Sequence, residues 1–152
     1  MAERRFRSVG DVIAFAIGRE IEAAEGYAGL AAQASTPGLR DLLLELKAEE
    51  ENHRRLLETM TFGGGGVPAA PAEDMGLSDA LADEPLVPGM TFQELLIFAA
   101  RKEKKAADLY AGLAGRPDAA AYRKVFEFLA GQERSHKAKL EAEYEKHVLT
   151  ED

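Results

Sequence analysis

The chain has 152 residues, enough for one domain with a buried core. Its formal net charge of −8 argues against nucleic acid and anionic membrane as partners, and it favours attraction of metal cations. It holds no cysteine, which excludes disulfides, zinc–thiolate sites, iron–sulfur clusters and redox-active thiols together. The opening Met-Ala-Glu-Arg-Arg-Phe-Arg-Ser is basic, but no signal-peptide apolar block follows it. The apolar run Val12 to Ile17 is far short of a membrane span, so a cytoplasmic protein is expected.

From Val9 the apolar positions run Val12/Ile13, Ala16, Glu20, Ala23, Tyr27 and Leu30 in steps of three and four. That spacing predicts a helix whose apolar stripe carries one carboxylate, Glu20. Ser8, with Asp11 three residues on, is its predicted cap. The chain turns at Ser35-Thr36-Pro37, and Pro37 suits the first turn of helix two. Helix two, from Leu39 through about Glu58, has the stripe Leu39, Leu42/Leu43, Leu46, Glu50, His53, Leu57.

A linker over about 61–90 follows, glycine-rich at Gly63 to Gly66, then proline-containing and acidic. One short helical turn is predicted within it at Ser78 to Leu81. A structureless loop of this length needs a reason, and crossing the length of a bundle is one. The glycines are no phosphate loop, since no strand precedes them and no Lys-Ser/Thr follows.

Helix three opens on a capping box, Thr91-Phe-Gln-Glu94, and its predicted stripe is Leu95, Ala99, Glu103, Ala106, Tyr110, Leu113. After the turn Gly115-Arg-Pro-Asp118, with Asp118 as candidate cap, helix four is expected from about Ala119 to the mid-140s. Its stripe is Tyr122, Phe126, Leu129, Glu133, His136, Leu140. The tail from Val148 to Asp152 is expected to fray. His147 is read as solvated, and so are Glu22, Glu25, Glu49 and Glu51, which fall off the stripes.

The two halves repeat. An offset of 83 places Glu20 on Glu103, Tyr27-Ala-Gly-Leu-Ala31 on Tyr110-Ala-Gly-Leu-Ala114, Glu50 on Glu133 and His53 on His136, without a gap. Hairpin one covers about 8–60 and hairpin two about 91–147. Two such hairpins closing face to face give an all-α four-helix bundle with a pseudo-twofold axis and a long crossover linker.

Closure brings Glu20, Glu50, His53, Glu103, Glu133 and His136 to the middle of an apolar core. A lone Glu-x-x-His on a charged helix is ordinarily a surface pair. Two of them, centred on buried stripes at one offset, would be uncompensated buried charge unless a metal offsets it. One Glu from each of two helices and Glu-x-x-His from each of two others is the ligand set of di-iron and di-manganese bundles. Four carboxylates balance two divalent cations. The oxygen-rich, thiolate-free donors suit iron or manganese, with zinc an adventitious substitute. Glu50 and Glu133 are expected to bridge, with Glu20, His53, Glu103 and His136 as terminal ligands. Tyr27 and Tyr110, two turns beyond their Glu, are read either as core packing or as hydrogen-bond donors that orient a ligand carboxylate.

The motif Glu20-x-x-Ala23-x-x-x-Tyr27, repeated at Glu103-Ala106-Tyr110 and followed in each half by Glu-x-x-His, resembles the rubrerythrin branch of the ferritin-like family. The resemblance covers the chain outside the linker. It implies a bundle with two iron ions that reduces hydrogen peroxide or dioxygen with electrons from a partner protein. Two departures stand out. Without cysteine there is no rubredoxin domain, so the chain resembles the short members and needs an external electron donor. Typical rubrerythrins also carry an extra Glu one turn after the helix-three ligand, where this chain has Ala106. The site is thus symmetric, closer to a ferroxidase centre of bacterioferritin type. The alternatives are an iron-binding ferroxidase and a helical scaffold with a vestigial site. A homodimer is expected, and the linker also allows a domain-swapped one.

Overall fold

A computed structural model of the chain describes residues 8–60 and 88–151, with side chains through residue 147. These residues form helices α1 (Val9–Gln33), α2 (Pro37–Glu58), α3 (Phe92–Ala114) and α4 (Arg123–Glu151), with a 3-10 turn at Pro117–Tyr122 and no strand among them. None of these helices is long and apolar enough to cross a membrane. The predicted turn at Ser78 to Leu81 and most of the linker lie outside the described residues.

The helix starts follow from their caps. Ser8 Oγ accepts from Asp11 N at 3.2 Å, and Thr36 Oγ1 accepts from Leu39 N at 3.2 Å with Pro37 in the first turn. At α3 the box closes reciprocally: Glu94 N donates to Thr91 Oγ1 and Thr91 N to Glu94 Oε1, both at 3.1 Å. Replacing Thr91 with Ala removes one acceptor of an otherwise unpaired helix N–H. It should cost about 1 kcal/mol by denaturant melts, and no loss would mean the box contributes nothing to stability.

α1 packs on α2 and α3 on α4 as hairpins; across the bundle α1 faces α3 and α2 faces α4. The side chains fix direction. Tyr27 donates to Glu103 while Tyr110 donates to Glu20, so α1 and α3 run antiparallel. Since α1 is also antiparallel to α2, helices α2 and α3 run parallel. The chain leaving α2 therefore has to return along the bundle before α3 begins, a distance of about 33 Å for a helix as long as α2.

The apolar core comes in two parts. One gathers Val12, Ile13, Leu57, Leu113, Phe126 and Leu129; the other gathers Leu30, Leu39, Leu43, Leu46, Leu96 and Leu140. Between them lies a polar belt.

Several boundaries differ from the sequence expectation. α4 begins at Arg123, not near Ala119, because Ala119 takes non-helical angles (φ −120, ψ 16) and closes a 3-10 turn. Asp118 is not a cap; it pairs with Arg116 at 2.7 Å, which holds its carboxyl below the ordinary range. α4 continues to Glu151, past the point where fraying was expected. The His147 ring lies 5.3 Å from that of Phe92 and is half-buried, so it is not simply solvated. On α3, Leu96, Ala100 and Ala107 are buried, whereas the predicted stripe residues Leu95, Ala99 and Ala106 are half-buried, as is Ala23 on α1.

Candidate metal centre

The belt consists of the six residues singled out from the repeat. Glu20, Glu50, His53, Glu103, Glu133 and His136 are each at most 3 % exposed, and they are the buried polar and charged residues among the described side chains. α1 and α3 each place one carboxylate at mid-length. α2 and α4 each place Glu and His one turn apart on the face that also buries Leu46 and Leu57, or Leu129 and Leu140.

One atom of each side chain is turned inward and has no hydrogen-bond partner: Glu20 Oε2, Glu50 Oε1, His53 Nδ1, Glu103 Oε2, Glu133 Oε1 and His136 Nδ1. His53 Nδ1 lies 3.1 Å from Glu133, 3.5 Å from Glu50 and 3.6 Å from Glu20. His136 Nδ1 lies 2.8 Å from Glu50 and 3.5 Å from both Glu103 and Glu133. These approaches lack hydrogen-bond direction: the atoms point at shared space. The two imidazoles stack across it, with centroids 5.7 Å apart and planes 12° from parallel.

Two overlapping groups result. Glu20, Glu50, His53 and Glu133 form one; Glu50, Glu103, Glu133 and His136 form the other, and in each the ligand atoms lie within 4.8 Å of one another. Either group could hold a cation. Glu50 and Glu133 belong to both, the place expected of bridging carboxylates. Six buried polar atoms without partners would be costly unless something satisfies them, and a cation with carboxylate and imidazole donors does so.

The electrostatics of the metal-free belt agree. Burial, then the Glu103 and Glu133 charges, push the Glu50 carboxyl well up; burial, then the Glu103 and Glu20 charges, do the same to Glu133. Glu20 goes the other way: burial opposes it, but the His53 imidazole beside it, with the Tyr110 hydroxyl, outweighs that and lowers it. For His136 burial also opposes charge, yet the Glu103 and Glu50 carboxylates beside it outweigh that and raise it to about 10. Without metal the belt thus favours protonation at Glu50, Glu133 and His136 and ionisation at Glu20.

Tyr27 and Tyr110 reach across the bundle, each donating to the carboxylate of the opposite hairpin, Tyr110 to Glu20 Oε1 at 2.5 Å and Tyr27 to Glu103 Oε1. Each Glu so engages one oxygen and leaves the other facing the belt. Burial and the carboxylate charges (Glu103 and Glu50 at Tyr27, Glu20 and Glu133 at Tyr110) push both phenols far up, which keeps them protonated as donors.

Glu49 corrects the sequence reading. It is no simple solvated residue: it is 28 % exposed and accepts from His136 Nε2 of α4. This leaves His136 Nδ1 for the belt and fixes the ring. No intrahelical pattern announces it, because position 49 is off the apolar stripe and meets its partner only when α2 and α4 pack. The repeat offers Gln132 at the matching place in the second half, so the halves differ here. Cobalt(II) titration should therefore show two resolvable steps, and Glu49→Gln should weaken the tighter one by about 10–100-fold. Two equal steps in the parent chain would show that Glu49 does not distinguish the positions.

Compared with protein-family models, with curated proteins and with solved structures, the chain finds no significant match.

Proposed function

We propose that the chain is a ferritin-like di-iron oxidoreductase of the rubrerythrin type, which reduces hydrogen peroxide or dioxygen with electrons from an external donor protein. The observation that carries this reading is the pair of overlapping buried ligand groups, sharing Glu50 and Glu133, with one unpartnered atom from each of six side chains. Oxygen-rich donors with one imidazole per position suit iron, with manganese second.

Bound iron would supply two electrons to the oxidant, one from each ion. The protein's part follows from its own groups. Glu50 and Glu133 hold both positions together, and the anionic set favours the more highly charged oxidised state. Tyr27 and Tyr110 keep Glu20 and Glu103 from swinging away. The two apolar cluster halves exclude water along the bundle axis.

A second reading, an iron-handling ferroxidase with ferrous iron as substrate, is favoured by the symmetry of the ligand set: Ala106 and Ala23 occupy matching positions and neither hairpin adds a further carboxylate there. Anaerobic loading with ferrous iron, then parallel challenge with peroxide and with air in a stopped-flow instrument, separates the two. Peroxide oxidation at least tenfold faster than air is the expected result; faster oxidation by air moves the assignment to iron handling. Failure to take up two iron ions per chain would end both.

A further inference from the structure

α1 and α3 meet less closely than the helices within either hairpin, and a groove of about 500 Å³ opens between them, with Glu20 and Glu103 of the belt among its walls. Its two ends differ at one pair of repeat-related positions. Gly26 lines one end, and a Cβ added there meets nothing within 4 Å. The offset of 83 puts Leu109 at the matching place, a buried side chain in the core cluster of Ile13 and Leu113. Open space at Gly26 thus stands against side-chain volume at Leu109. Peroxide or dioxygen needs little more than the ~30 Å³ share of one water. The groove is an order of magnitude larger, within the range of pockets that take organic ligands.

The groove leads inward to the belt and outward to an apolar end. Because α1 and α3 run antiparallel, the Gly26 end is also where α3 starts, and Leu95, Phe98 and Ala99 line it there. These three are half-buried, so an organic body laid against them would take further apolar surface out of water. A small polar oxidant gains nothing from that surface. From Glu20 to Gly26 is about 9 Å along α1, the length of a single ring or a short chain.

We propose that the centre takes organic hydroperoxides, with the hydroperoxyl group at the belt and the apolar tail along the groove toward Gly26. The O–O bond is the one that breaks. Two electrons from the external donor and two protons turn the hydroperoxide into its alcohol and one water; the hydroperoxide is reduced and the donor oxidised. A hydroperoxide stays neutral at ordinary pH, so it needs no charged anchor from the walls, acidic or basic. Gly26 is then a specificity-determining position, open to a tail and indifferent to hydrogen peroxide. The proposal names a substrate class for the centre described above and rests on that reading.

Two readouts on the full, iron-loaded chain test it, with iron content and light-scattering mass measured on every sample. Cumene hydroperoxide and hydrogen peroxide are the oxidants; 2-phenyl-2-propanol, the alcohol that cumene hydroperoxide yields, is the unreactive probe. Calorimetry on the oxidised chain should show one alcohol bound per chain, and both peroxides should oxidise the anaerobic ferrous chain in stopped flow. Gly26→Leu gives the first half the side chain of the second, grows into open space and improves helix propensity. It should weaken the alcohol and slow cumene hydroperoxide at least tenfold each, with hydrogen peroxide, iron content and melting temperature kept. Gly18→Leu, on the same helix but outside the groove, should change none of these. A parent chain oxidised by hydrogen peroxide but not by cumene hydroperoxide overturns the proposal and leaves the peroxide reading standing. Absence of alcohol binding, indifference to Gly26→Leu, or equal slowing of both peroxides by it overturns the proposal in the same way. So does a dimer that Gly26→Leu splits, since a second copy would then be the occupant. A chain that takes no iron, or whose iron neither peroxide oxidises, removes the underlying reading as well.

Discussion

Glu50→Leu should remove metal binding at both positions and leave the metal-free protein more stable than its parent. Both ligand groups include Glu50, so its loss takes a donor from each, whereas Glu20→Leu takes one from a single group. The stability gain follows from the same carboxyl. It is 1 % exposed, and burial and the neighbouring Glu103 and Glu133 charges push its pKa well up, so the fold without metal is strained to contain it. Replacing buried ionic groups with apolar ones of similar volume is neutral or stabilising by about 1–4 kcal/mol. For a chain of this size that is a rise of roughly 2–15 °C in melting temperature. Elemental analysis and thermal melts check both halves of the result. Retention of two ions per chain, or a metal-free variant less stable than the parent, would show that Glu50 is not a shared ligand.

The second large effect is in pH. Glu50 and Glu133 have folded-state pKa values raised above the ordinary 4.5, and His136 is raised from 6.5 to about 10. A raised group binds its proton more tightly in the folded state. Its contribution is complete below the unfolded pKa and is lost as pH climbs through the folded one. All three therefore act alike: from near pH 4.5 upward for the carboxyls, and from 6.5 to about 10 for His136, the metal-free protein loses stability. Glu20 is lowered and has the opposite sign, but its window lies below pH 4.5 and offsets nothing above it. Metal takes the place of these protons, so its affinity rises with pH. The melting-temperature gap between metal-loaded and metal-free protein should widen from a few degrees at about pH 5 to roughly 10 °C or more at about pH 8, the effect of ligand at about a hundred times its Kd or above. A gap that stays level or narrows would show that the belt does not hold protons where metal binds.

The polar belt was legible because α2 has a narrow, high-contrast stripe and the repeat carries its pattern onto α4. Leu39, Leu43, Leu46 and Leu57 leave only one face to bury, and Glu50 and His53 stand on it. On α3 the inward face is ambiguous. Alanines occur side by side at 99–100 and 106–107, so the periodicity does not say which of each pair faces inward, and the groove lies along that ambiguity. Glu49 was illegible for another reason. Its partner nitrogen belongs to an imidazole 87 residues away, and only packing brings them together. Asp118 looked like a cap because no local rule foretells that Arg116 captures it first.

Neither hairpin owns a complete set of donors, since each group borrows one carboxylate from the other half. A gene encoding a single hairpin would have yielded this centre only by pairing two copies, at the mercy of their concentration. Fusion lifts that dependence, and residues 61–87 then act as a tether that sets local concentration. At full stretch they reach roughly 90 Å, against the ~33 Å to be crossed. Fully extended, half their length would still span that distance.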